Sequence, residues 1–281
     1  MQTKPQVVHT LLDALPYIRK FYGETFVIKY GGAAQIDPAL KDKFAQDIAL
    51  LSLVGMKIVI VHGGGKSITE LSNQLGVKAE FVNGLRVSDK DSLRIAQMVL
   101  CGEINTEIVS LLNDHGAKAI GINGKDGGFV KAVAIEGLGY TGDPREVNPD
   151  LLLKLIADRF VPVVAPIAGS SEPTHPGFNV NADAMASAIA GAIRAKKTIF
   201  MTDTTGVLDK DKNLLRSLSR ADVERLKADG TIAGGMIPKV DSALEALSNG
   251  VDKAHILDGR VEHALLLEIF TSQGVGTEIV R

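Results

Sequence analysis

Short, nearly unbroken apolar runs alternate along the chain with segments of helical periodicity, and that alternation leaves few folds open. Residues 25–30, 57–62, 117–122, 161–166, 198–202 and 254–257 each read as a strand buried on both faces. Residues 38–54, 66–75, 88–114, 149–158, 181–194, 219–228 and 237–249 read as the intervening helices. Strands separated by helices pair in parallel through crossovers, so the pattern predicts an α/β fold, a three-layer α/β/α sandwich around a mainly parallel sheet. Gly137, Gly139 and Gly142 break residues 129–147 into a small antiparallel hairpin, and the Gly/Ser/Pro-rich stretch 168–177 is the best lobe boundary.

One segment stands outside this alternation. Val8, Leu11, Leu12, Leu15, Ile18 and Tyr22 recur at helical spacing, so the chain opens with an amphipathic helix that Gly23 ends. Pro16 predicts a kink within it. The helix either folds onto its own domain or serves as a partner-binding arm.

With 281 residues, 45% of them apolar, the chain can bury the core such a sandwich needs. Its 31 basic and 33 acidic residues nearly cancel and no basic stretch stands out, which argues against a nucleic-acid partner. Without tryptophan, a base-stacking surface is equally unexpected. The single cysteine, Cys101, excludes an internal disulfide and a thiolate metal site and reads as a small buried hydrophobe. No apolar run approaches the roughly 20 residues of a membrane helix, and the N-terminus lacks a signal layout. The expectation is a cytoplasmic protein with no membrane partner.

Parallel sheets bind ligands at the carboxyl ends of their strands, where glycine turns meet helix N-termini. Lys29-Tyr30-Gly31-Gly32 closes the first strand and His62-Gly63-Gly64-Gly65 the second. Asn179-Val180-Asn181-Ala182-Asp183 enters a helix, and Thr202-Asp203-Thr204-Thr205-Gly206-Val207-Leu208 follows a strand. Neither glycine turn is a Walker motif; Gly63-Gly64-Gly65-Lys66-Ser67 mimics only its tail. Nor does either match Gly-x-Gly-x-x-Gly, which disfavours a dinucleotide oxidoreductase. Backbone amides and a lysine that converge on phosphate point to phosphoryl groups held by another route.

Taken singly, each residue has a plainer reading. Lys29 and Lys66 read as surface lysines, Lys239 as an exposed helix residue, and Asp183 as a first-turn acid favoured by the helix dipole. Arg86 could pair with Asp89, and His62 is a core histidine. The conjunction overturns those readings for Lys29, Arg86, Asp183 and Lys239, not for His62 or Lys66.

These motifs, with Asn83-Gly84-Leu85-Arg86-Val87 and the Gly-Gly-Met-x-x-Lys pattern that ends at Lys239, run in an order that resembles the amino-acid kinase family over residues 24–281. The fragment around Arg86 is similar to the branch that phosphorylates N-acetyl-L-glutamate in arginine biosynthesis, rather than those acting on carbamate, uridylate, aspartate or glutamate. The resemblance implies the amino-acid kinase fold with an extra N-terminal helix (1–22), an acetylglutamate-binding lobe (23–177) and an ATP-binding lobe (178–281). It implies ATP, with Mg²⁺ carried on its phosphates and no metal site on the protein, as donor to the γ-carboxylate of N-acetyl-L-glutamate. Lys29 and Lys239 are implied as the cations at the transferred group, and Asp183 as the carboxylate that orients both. Gly64, Gly65, Arg86 and Asn179 are implied to bind the acceptor. Gly31, Gly32, Asp203, Gly206, Val207, Leu208 and the loop 231–233 are implied to hold the nucleotide. Two rivals remain: another acid kinase of the family, and a non-catalytic arginine or nucleotide sensor, which would not need both lysines and Asp183.

Family members with an N-terminal helix resemble arginine-inhibited homohexamers, in which the helices interlace three dimers into a ring. The series His255, Asp258-Gly259-Arg260, His263, Glu268 and Gly274-Val275-Gly276-Thr277 is similar to their arginine-site signature. The resemblance therefore implies an allosteric L-arginine site at Tyr17, His255, Glu268 and Gly274, with Glu268 facing the effector's guanidinium. The plainer reading is that His255 and Glu268 only complete the C-terminal helix.

Overall fold

The computed structural model describes residues 4–271 and 274–281. Its middle layer is an eight-stranded sheet. From edge to edge run β12 (Ser217–Ser219), β14 (Thr277–Val280), β13 (Lys253–Asp258), β11 (Lys197–Thr202), β1 (Thr25–Tyr30), β2 (Lys57–His62), β8 (Val161–Ala165) and β5 (Ala119–Asn123). Neighbours are parallel except β13 and β14.

Successive side chains of a strand point to opposite faces, so a strand covered on both sides must be apolar throughout. Val27, Val59 and Val61 join one core with α6 (Asp150–Ala157), α7 (Ala182–Ala192), α8 (Arg220–Ala228) and α9 (Ile237–Ser248). Phe26, Ile28, Ile58 and Ile60 join the other, with α2 (Pro38–Leu53), α3 (Gly65–Gln74), α4 (Lys90–Gln97), α5 (Asn105–Asp114) and α10 (Ala264–Phe270). This is the α/β/α sandwich expected from the alternation.

From β1 the chain crosses by α2 to β2 on one side, whereas from β11 it proceeds to β13 on the other. The direction of winding therefore reverses between β1 and β11, and such a switch opens a crevice at the carboxyl ends of the strands. β1 pairs with both β2 and β11, so one sheet runs through both halves of the chain. A four-stranded sheet flanks it, ordered β6 (Val130–Ala134), β7 (Thr141–Val147), β10 (Phe178–Val180) and β9 (Ile167–Ala168); β6 and β7 are the expected antiparallel hairpin. A hairpin of β3 (Glu80–Val82) and β4 (Leu85–Val87) turns at Asn83-Gly84, residues suited to a tight two-residue loop.

Helix α1 (Lys4–Phe21) continues through Pro16. Its end folds onto the domain, since Phe21 is buried edge-to-face against Phe26 at 5.4 Å. Its first turns do not: Val8, Leu11 and Leu12 are more than half exposed. The helix expected over 88–114 begins at Lys90, capped by the Asp89 carboxylate on the Ser92 amide, and passes through a π-helical stretch, Met98–Ile104, between α4 and α5. By length and composition this continuous Lys90–Asp114 helix could cross a membrane, which interrupting charges such as Glu103 and Glu107 disguise in the sequence. Here Val99, Leu100, Ile104, Ile108 and Leu112 pack into the second core.

Candidate active site

The crevice is a cavity of about 510 Å³. At its floor, Lys29 Nζ at the end of β1 lies 2.9 Å from Asp183 Oδ1, and Lys239 Nζ in the first turn of α9 lies 3.6 Å from Asp183 Oδ2. Asn181 caps α7, accepting from the amides of Asp183 at 2.8 Å and Ala184 at 3.2 Å, and so places Asp183 in the first turn. Burial works to raise the Asp183 pKa, but the two ammonium groups, Lys29 before Lys239, outweigh it and hold the carboxyl below its ordinary value. The result is an anionic hinge between two cations, all largely screened from water.

Two glycine turns form the walls. Gly32 has φ +74°, and a Cβ there would lie 2.3 Å from Asp203 Oδ1; that same oxygen accepts from the Ala33 amide at 2.5 Å. Asp203 therefore braces the first turn from across the β1–β11 seam. In the second turn Gly63 N donates to Tyr30 O at 2.8 Å, and Gln35 Nε2 donates to Gly63 O at 2.8 Å, tying the turns together. Gly64 and Gly65 open α3, whose first amides have no intrahelical acceptor and face the cleft. Gly31 passes close to Lys29: a Cβ there would lie 3.1 Å from its Nζ.

On the acceptor side, the Arg86 guanidinium donates to Gly65 O at 2.9 Å and Thr69 Oγ1 at 2.7 Å and lies over the Phe81 ring at 4.8 Å. It does not pair with Asp89, which is occupied as a helix cap. Asn179, buried in the middle of β10, lines the same cleft. His62 is a core histidine. Burial holds its pKa down to about 4, so the neutral ring donates from Nδ1 to Gly63 O (2.9 Å) and accepts at Nε2 from Asn105 Nδ2 (3.2 Å). Lys66 is an exposed residue at the rim.

Residues 24–258 match the amino acid kinase family. Chains named acetylglutamate kinase are 61% identical in Nautilia profundicola, over 99% of this chain and 99% of the relative, and 60% identical in Aliarcobacter butzleri, over 100% and 93%. The chain belongs to the amino acid kinase family, in its acetylglutamate kinase branch. Among solved structures, N-acetylglutamate synthase from Neisseria gonorrhoeae complexed with coenzyme A and N-acetyl-glutamate superposes with a TM-score of 0.87 at 28% identity. The match covers 98% of this chain but only 63% of the synthase. The same synthase complexed with coenzyme A and L-arginine superposes at 0.82 and 26% identity, over 97% of this chain and 65% of the synthase.

The structure brings Lys29, Asp183, Lys239, Gly31, Gly32, Gly64, Gly65, Arg86 and Asn179 of this kinase around one cavity. It does not bring Asp203, Gly206, Val207 or Leu208 to the lining. Val207 is buried and its amide is taken by Thr277 Oγ1 at 2.8 Å, while Leu208 bridges to Leu214. In the loop 231–233, Thr231 is folded onto Asp229, and Ile232 is buried.

The residues expected at an effector site lie elsewhere, beside α10. Glu268 Oε1 is 2.7 Å from His255 Nδ1, and Glu268 Oε2 accepts from the amides of Val275 at 2.8 Å and Gly276 at 3.4 Å, just after Gly274. Burial depresses the His255 pKa; burial would raise that of Glu268, but the His255 hydrogen bond and the Val275 amide hold it down. The pair is thus a neutral imidazole donating to a carboxylate. Tyr17, on α1, packs half-buried against the same core as α10.

Some lining residues carry no motif. Lys41 Nζ and Glu107 Oε1 form a 2.5 Å ion pair across the cleft mouth between α2 and α5, and Glu103 and Ile104 reach the lining from the π-helical stretch. Among the described residues no group of three or more His, Cys, Asp or Glu is arranged to hold a metal ion.

Proposed function

We propose that this kinase transfers the γ-phosphoryl group of ATP to the side-chain carboxylate of N-acetyl-L-glutamate, forming N-acetyl-L-glutamyl 5-phosphate as a step of arginine biosynthesis in the cytoplasm. The observation that carries the reading is the Lys29–Asp183–Lys239 constellation at the floor of a glycine-walled cleft. A carboxylate acceptor is already anionic near neutral pH, so the reaction needs no general base. It needs two anions held together and charge on the moving phosphoryl oxygens stabilised. Lys29 and Lys239 supply that charge from opposite sides, and Asp183 fixes their separation without neutralising both. Gly31, Gly32 and the first amides of α3 donate to phosphate, and Arg86 with Asn179 grips the acceptor's α-carboxylate end. Asp203 serves the nucleotide through the turn it braces, and Gly206, Val207 and Leu208, which do not line the cleft, contribute by supporting the 178–281 lobe around it. Magnesium carried on the ATP phosphates adds charge neutralisation; the protein offers it the open cleft rather than a carboxylate cage.

Trapping the acyl phosphate with hydroxylamine from ATP and acetylglutamate tests this reading. Product with acetylglutamate supports it; product only with another acid would keep the fold and overturn the substrate.

A second reading concerns regulation: L-arginine binds between α1 and α10 and inhibits a homohexamer, a trimer of dimers joined by α1. Its support is the anionic Glu268 held by His255 and the Val275 and Gly276 amides, Tyr17 packed on the same core as α10, the apolar exposed start of α1, and the similarity to a synthase complexed with L-arginine. Inhibition requires that arginine bind one arrangement of α1 better than another, since equal affinity shifts nothing. Adding arginine to the hydroxamate assay tests it; unchanged product would leave α1 a role in assembly alone.

A further inference from the structure

Beside the acceptor clamps lies a chain of buried hydroxyls that no step of the phosphoryl transfer uses; of the two, Thr141 reaches the cleft lining and Ser88 stands behind it. Ser88 is fully buried and Thr141 nearly so. Thr141 Oγ1 donates to the carbonyl of Arg86. A hydroxyl carries one proton, so the 2.9 Å contact between Thr141 Oγ1 and Ser88 Oγ is made by the Ser88 proton, which leaves Ser88 Oγ to accept from Asn179 Nδ2 at 3.2 Å. The chain runs unbroken from the side chain of Asn179 to the backbone of Arg86. Ser88 is itself immobilised, since its amide donates to Leu138 O at 3.1 Å and its carbonyl accepts from Tyr140 N at 2.7 Å.

We infer that Ser88 and Thr141 are positioning residues for the acceptor: they turn the Asn179 amide so that Oδ1 and the second N–H face the cleft, and they hold it at a set distance from Arg86. The inference rests on the reading that Arg86 and Asn179 grip acetylglutamate. β4 carries Arg86 on a two-stranded hairpin with little sheet of its own, whereas Asn179 stands on the flanking sheet. Two groups on separate sheets grip one small molecule only if something fixes their spacing, and the hydroxyl chain spans that joint. In a buried network each bond also strengthens its neighbours, so loss of one hydroxyl loosens both ends.

The test compares Ser88→Ala, Thr141→Val and Thr141→Ser with the wild type by hydroxamate kinetics and thermal melting. Ser88→Ala and Thr141→Val are expected to raise KM for acetylglutamate about tenfold, with kcat and KM for ATP within about twofold of wild type. Thr141→Ser, which keeps the hydroxyl, should restore the wild-type KM. A purely structural role would lower the melting temperature and leave both KM values unchanged, and that result would overturn the inference. An equal rise in both KM values would overturn it too, since the network would then shape the whole cleft. A wild-type enzyme that yields no product from acetylglutamate would remove the reading beneath it, before any variant is compared.

Discussion

Lys239 meets Asp183 at 3.6 Å one helical turn above the point where Ser187 Oγ donates to Ser242 O at 2.7 Å. That buried bond sets the register of α7 against α9, so the position of the lysine is a consequence of helix packing rather than of a flexible reach. Lys29, by contrast, is delivered by the central strand. The three charged groups thus stand on a central strand and on the first turns of two packed helices, which suits charges that must be in place before the phosphoryl group moves.

Replacing Lys29 or Lys239 by alanine is expected to lower kcat by about 10²–10³, with KM values for both substrates close to wild type. Steady-state hydroxamate kinetics decide this. An effect confined to KM would mean that the lysines bind ground states only.

The second glycine turn offers a sharper contrast. A Cβ at Gly64 would lie 2.6 Å from both Leu100 Cδ2 and Ile104 Cδ1, whereas one at Gly65 meets nothing within 4 Å. Gly64→Ala should therefore cost about 1–3 kcal/mol of stability through overpacking, and Gly65→Ala almost none. Denaturant unfolding of the two variants side by side would expose the difference, and equal midpoints would contradict the close packing of the π-helical stretch on this turn.

His62 makes the fold sensitive to acid. Its pKa is about 4 when buried against 6.5 when free, so between these values the unfolded chain binds more protons than the folded one. The stability it contributes is present above about pH 6.5 and is lost as pH falls toward 4. Relative to His62→Gln, the wild type should lose on the order of 3 kcal/mol between neutral pH and about pH 4. A difference that stays flat across that window would show that the imidazole takes its proton without penalty.

Removing residues 1–14 deletes Val8, Leu11 and Leu12 but spares Phe21, whose ring belongs to the core. The shortened protein is expected to keep its basal kinase activity, to form smaller particles by light scattering, and to ignore arginine. A particle that stays hexameric and arginine-sensitive would rule out α1 as the connecting element.

Much of this architecture is legible in the sequence because its physical causes are local. Strands buried on both faces must be continuously apolar, so β1, β2, β8, β11 and β13 stand out. Asp37 announces α2 by accepting from the Ala39 and Leu40 amides at its N-terminus, and Asn181 does the same for α7. The lysines and Asp183 are legible only as parts of an ordered motif set. What escapes has no local cause. β3 consists wholly of exposed residues, so no burial pattern marks it. The π-helical stretch keeps nearly the spacing of an α-helix. Lys41 and Glu107 are ordinary surface residues until the fold brings α2 and α5 together, and the Ser88–Thr141–Asn179 chain joins β7, β10 and the residue after β4, which no periodicity links.

The place of β1 between β2 and β11 has an evolutionary corollary. β1 and β11, one from each half of the chain, pair from Phe26↔Lys197 to Lys29↔Phe200, while the glycine- and proline-rich peptide 168–177 separates the halves in the sequence. A gene split there would encode two fragments, each with the naked edge of a central strand that only the other can cover. Neither is expected to pair with a foreign counterpart unless that edge is rebuilt, so selection on this kinase should act on the two halves together.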